Sequence, residues 1–159
     1  MGISAILTGL FGCGKAPKPA QHTTAEISAV SISCGHMDRS YGYSFWIHLE
    51  QGKWLFNTEC FTHDHEVEMV FENREVSSDD TDALFEILEQ SGSIAYAENY
   101  KKPKDSPFEI MDETTYVFCL TFSDGSQYVT CDRQKELEEY FYRLAEKYGD
   151  TEAVNKDDE

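Results

Sequence analysis

From Glu26 onward, polar and apolar residues alternate in short runs. AEISAVSISCG alternates, and YGYSFWIHLE does so more clearly, with Tyr43, Phe45, Ile47 and Leu49 sharing one face. Gln51-Gly52 punctuates the pattern as a turn, and KWLFNTECF returns as the second arm of a hairpin. After a loop around THDH, EVEMVFE puts Val67, Met69 and Phe71 on one side and Glu66, Glu68 and Glu72 towards water. This is the pattern of a half-solvated antiparallel sheet.

The period then lengthens. In SSDDTDALFEILEQSG, Ser77 or Ser78 can cap a helix whose first turn carries Asp79, Asp80 and Asp82. Leu84, Phe85, Ile87 and Leu88 form its apolar stripe, and Gly92 can close it. SIAYAENY alternates and reads as a strand, followed by a basic, proline-bearing loop, KKPKDSP. TTYVFCLTF–SDGS–QYVTC is the strongest hairpin signal, with Tyr116, Phe118, Leu120 and Phe122 on one face and Asp124-Gly125 at the turn. A last helix over about Arg133 to Tyr148 aligns Leu137, Tyr140, Phe141, Leu144 and Tyr148. The order β-β-β-β-α-β-β-β-α predicts an α+β fold. It is a single antiparallel β-sheet of about seven hairpin-connected strands, with two amphipathic helices packed on one face. The domain spans 26–149, after a leader over 1–25 and before an acidic disordered tail over 150–159.

Charge narrows the partners. The formal net charge of the 159 residues is −17. Residues 1–25 carry only Lys15 and Lys18, the body has 25 acids against 10 bases, and the tail has 5 acids against one base. Such a body repels phosphate backbones, which argues against nucleic acid as a partner. The partner is expected to be a protein or a small molecule. No apolar run is long enough for a transmembrane segment.

The segment GLFGCGKAPKP admits three readings. Gly9, Gly14 and Lys15 fit part of a phosphate-binding loop, but Ala16 stands where a magnesium-binding hydroxyl belongs, and Pro17 and Pro19 block the helix that should follow. Leu10-Phe11-Gly12-Cys13 resembles a bacterial lipobox, which would make Cys13 a lipidation site and the following residues a tether. Against this, no basic residue precedes the apolar run and only twelve residues precede Cys13. The remaining reading is a cytoplasmic protein with a short leader. Membrane contact would then arise only through that leader, if lipidated.

Reactive groups are sparse. Five cysteines, Cys13, Cys34, Cys60, Cys119 and Cys131, are widely spaced with no C-x-x-C, unlike a disulfide framework or a zinc ribbon. The best metal candidate is CFTHDHE, where Cys60, His63 and His65 can converge on one ion such as zinc, with Asp64 or Glu66 adding an oxygen. Cys34 and His36 place a thiol near an imidazole, yet no strand-to-helix elbow activates it. Asp112-Glu113 and Asp79-Asp80 fit turns and helix starts better than acid–base pairs. Tyr41, Tyr43, Trp46 and Trp54 lie on adjacent hairpin arms and can form an aromatic binding face or cross-strand packing.

The helix–strand–basic loop–FEIMDETTYVFCLTFSDGSQY–helix pattern resembles small uncharacterised proteins common in Firmicutes, over roughly residues 26–148. The resemblance implies an architecture and no activity, cofactor or catalytic residue. The expected function is a small non-catalytic binding or accessory module. The alternative is a metal-dependent or thiol enzyme using Cys60, His63 and His65.

Overall fold

A computed structural model describes residues 18–35, 42–61, 67–101 and 114–149. The leader up to Pro17, the basic loop beyond Lys101 and the acidic tail lie outside them. The described chain opens with a 3-10 turn, Thr24–Glu26, and four strands: β1 (Ile27–Gly35), β2 (Gly42–Glu50), β3 (Lys53–Phe61) and β4 (Val67–Glu75). Helices α1 (Ser78–Gln90) and α2 (Ser93–Asn99) follow, then β5 (Thr115–Phe122), β6 (Gln127–Thr130) and helix α3 (Lys135–Gly149). All strand pairs are antiparallel and the sheet order is β4-β3-β2-β1-β5-β6. A four-strand meander and a separate hairpin are thus joined edge to edge, by β1 pairing with β5. None of the described helices is long and apolar enough to cross a membrane.

Turn chemistry sets the register. Gln51 and Gly52 both have positive φ, 50° and 80°, as a two-residue type I′ hairpin turn demands. Glu50 therefore faces Lys53, and counting back puts Ile47 opposite Phe56 and Phe45 opposite Thr58. One lateral row runs Phe71–Thr58–Phe45–Ile32–Phe118–Thr130 across all six strands, and every member is buried. The helices cover this face. Phe141 of α3 stacks on Phe45 at 5.6 Å and on Phe56 at 5.7 Å, and Leu84 and Leu88 of α1 join the same core. Each such side chain removed from water contributes about 2–3 kcal/mol.

The predicted class holds, with six strands and three helices among the described residues where seven and two were expected. SIAYAENY is the difference: it forms α2, not a strand. Its alternation of Ile94 and Tyr96 suits a strand, but Ile94 and Ala97 also stand three apart, and both are buried together with Ser93. Alanines at 95 and 97 favour the helix. Gly92, at φ 66°, supplies the left-handed residue that ends α1 and starts α2.

Asp80 ties the two long helices together. Ser77 caps α1 by accepting the Asp80 N–H at 3.3 Å. The Asp80 carboxylate accepts from Lys147 Nζ at 2.7 Å and from the Tyr148 hydroxyl at 2.6 Å, both on α3. Burial works against the charged form, but hydrogen bonds from Lys147, Ser77 and Tyr148 outweigh it and hold this carboxyl below its ordinary value.

Candidate functional site

The other face of the sheet carries none of the described helices. Pleating sends Ser31 and Ser33 of β1, Ser44, Trp46 and His48 of β2, and Asn57 and Glu59 of β3 to this side. Here a second lateral row runs Asn57–Trp46–Ser31–Cys119–Val129. Serine beside Trp46 leaves the indole standing above the sheet, 45% exposed, with Val129 at 49% and Val70 on β4 at 53%. His48 stacks on Trp46, with ring centroids 4.2 Å apart and planes 17° from parallel.

Between β2, β3 and β4 this face is hollowed into a shallow groove of about 220 Å³, lined by Ser44, Trp46, Asn57, Glu59, Val70 and Glu72, with Thr58 and Phe71 at its floor. A register shift in the β3–β4 pairing lies next to it, where Asn73 has φ 55° and donates its N–H to Asn57 Oδ1 at 2.9 Å. The Glu59 and Glu72 side chains are exposed and make no hydrogen bond or ion pair with a described residue. A larger cleft of about 530 Å³ lies between the α1–α2 junction and the start of α3, but several of its polar groups are already engaged. Ser91 and Ser93 hydroxyls meet at 2.6 Å, and Arg133 is held by Glu138 at 2.7 and 2.8 Å.

The pleat divides the aromatic group foreseen from the hairpin arms. Trp46 is on the open face. Tyr43 and Trp54 are on the helix-covered one, with Tyr43 against Phe45 at 5.1 Å and Trp54 edge-on to Phe85 at 5.5 Å. Tyr41 lies outside the described residues. Trp54 pairs with Leu49, so its parity is that of the core residues and opposite to that of Trp46. Cys60 also faces the core, 3% exposed, with Thr58 Oγ1 at 3.5 Å from its sulfur. His63 and His65 lie outside the described residues, as do Cys13, His36 and the Asp112-Glu113 pair. Among the described residues no three His, Cys, Asp or Glu side chains are grouped to hold a metal ion. Burial, then the nearby Glu138, pushes the Cys34 thiol up, away from the thiolate a nucleophile requires.

One constellation had no signal in the sequence. His22, within the stretch assigned to the leader, lies against the body, its ring stacked on Phe122 with centroids 4.2 Å apart. Its Nδ1 meets Glu98 Oε1 of α2 at 2.7 Å, and its Nε2 meets Asp124 Oδ2 of the β5–β6 turn at 3.1 Å. The His22 side chain is 12% exposed and that of Glu98 only 2%. Glu98 also accepts the backbone N–H groups of Gln21 and His22, at 2.6 and 3.0 Å. Ser126 Oγ is 3.2 Å from Nε2, which outlines a Ser-His-Glu arrangement. The chemistry is different, because the Ser126 hydroxyl donates to Asp124 Oδ1 at 2.7 Å. A carboxylate on each nitrogen favours the imidazolium form, which has no lone pair to take a proton from serine. Hydrogen bonds to Glu98 and then to Asp124 accordingly raise the His22 pKa above 6.5. This is a charged clasp. Its partners are 76 and 102 residues away, so no local pattern announces it.

Comparison with protein-family models, with curated proteins and with solved structures gave no match, so the functional reading rests on the geometry above.

Proposed function

We propose that the protein is a non-catalytic binding module that works through the uncovered face of its sheet. The observation that carries this is the exposure of Trp46, Val70 and Val129 on a face that none of the described helices covers. Trp46 and Val129 are separated by only β1 and β5 in one lateral row, roughly 14 Å at the usual strand spacing. An indole so placed offers a large contact area at small conformational cost, and such residues anchor interfaces. The enzyme alternative on Cys60, His63 and His65 has less support, since Cys60 points into the core.

The test is photo-crosslinking inside the native host. A benzoylphenylalanine at position 46 or 129 is expected to capture a discrete partner, whereas the same group at the exposed Tyr96 of α2 is not. Equal capture from both sides, or none from the sheet side, would discard the reading.

A further inference from the structure

We infer that the groove between β2, β3 and β4 receives a lysine or arginine side chain from a basic segment of a partner protein. The inference rests on the binding-face reading and gives that partner its chemistry. Trp46 offers an aromatic surface at one wall of the groove, and such faces attract ammonium and guanidinium groups. Glu59 and Glu72 stand at the groove with no described side chain neutralising them. Val70, beside Glu59 in the β3–β4 register, gives the aliphatic stem of a long cationic side chain an apolar surface to lie on. Among the described residues no three acidic or other metal-binding side chains gather here, and the indole and Val70 suit an organic cation with an apolar stem better than a hard metal ion.

The position favours a segment of chain over a small free cation. β4 is an edge strand of the described sheet, so no described strand closes the groove on its outer side to an extended peptide. A net charge of −17 draws basic partners from a distance and repels acidic ones. That long-range attraction is diffuse and does not depend on the groove, which is why the test must separate the two.

The probe is a capped (Arg-Gly)4 peptide titrated into the full chain, with capped (Glu-Gly)4 as its acidic counterpart. The two tryptophan indole N–H signals report by NMR: Trp46 is at the groove and Trp54 is on the opposite face. The basic peptide is expected to shift the Trp46 signal and leave Trp54 in place. The Glu59→Gln/Glu72→Gln double variant is expected to weaken binding about tenfold. An Asp82→Asn/Glu146→Gln variant, which removes as much charge from the helices, should change it less than about twofold. Equal weakening in the two double variants, or no movement of Trp46, overturns the inference. An unmoved Trp54 signal in each variant verifies the fold, and Glu72→Gln alone repeats the test should the double variant fail that check. If the peptide fails while crosslinking at position 46 still captures a partner, the binding face stands and its preference for cations falls.

Discussion

His22 is a single side chain on which three distant parts of the molecule depend. Glu98 faces it from α2, Asp124 and Ser126 from the β5–β6 turn, and Phe122 and Tyr128 enclose the ring. Its folded pKa lies above 6.5, so the clasp contributes fully below that value and its contribution is lost as pH rises through the raised one. The carboxylates set the other limit. Burial opposes ionisation of Glu98, but the Gln21 N–H and His22 hold it below 4.5, and Ser126 and then His22 hold Asp124 below 3.8. Their contribution is present above those ordinary values and is lost as pH falls through the depressed ones. The melting-temperature gap between the native chain and His22→Gln should therefore shrink as pH rises from about 6 to about 9. A gap that stays constant, or an imidazole NMR midpoint at or below 6.5, would contradict the clasp.

At the scale of elements, docking of α3 rests on its aromatic side chains, with the Asp80 contacts to Lys147 and Tyr148 at its end. Phe141 is fully buried between Phe45 and Phe56, and Phe141→Ala is expected to cost about 3–5 kcal/mol in chemical denaturation. A loss below about 1 kcal/mol would mean that the helix is held some other way. Strand β6 contains an opposite opportunity. Thr130 is fully buried and its hydroxyl has no hydrogen-bond partner among the described residues. Thr130→Val keeps the shape and removes the stranded group, so stability should rise by about 1 kcal/mol in the same assay. Strands β1 to β5 and the two long helices were legible because each repeats its own period for eight residues or more, and the four-residue β6 was legible from the Asp124-Gly125 turn before it. SIAYAENY was not, because over seven residues a two-residue and a three-to-four-residue period place nearly the same apolar positions. Burial of Ser93, Ile94 and Ala97 on one side of the segment decides between them.

At the scale of the whole molecule, six strands at the usual spacing make a sheet roughly 24 Å across, and helices pack about 10 Å apart. The described helices suffice for one face, and none of them covers the other. Alternation in EVEMVFE, which turns Glu72 towards water, already marks a half-solvated sheet, and so that part of the candidate site is readable before any fold is known. The aromatic residues were harder to place. Trp46 and Trp54 look equivalent on adjacent hairpin arms, but the two-residue turn at Gln51-Gly52 gives them opposite parity, one anchoring the core and one left on the surface.

Side-chain alternation, turn chemistry and helical stripes are local, acting over two to four residues, and so the linear chain was enough to specify strands, turns, the two longer helices and which side of each is apolar. Joining β1 to β5, placing the described helices on one face, and gathering Trp46, Glu59, Val70 and Glu72 around one groove or His22, Glu98 and Asp124 into one clasp were decided only by the folded chain. These are encounters between residues far apart in sequence. They exist only once burial of a common core has brought their backbones into register.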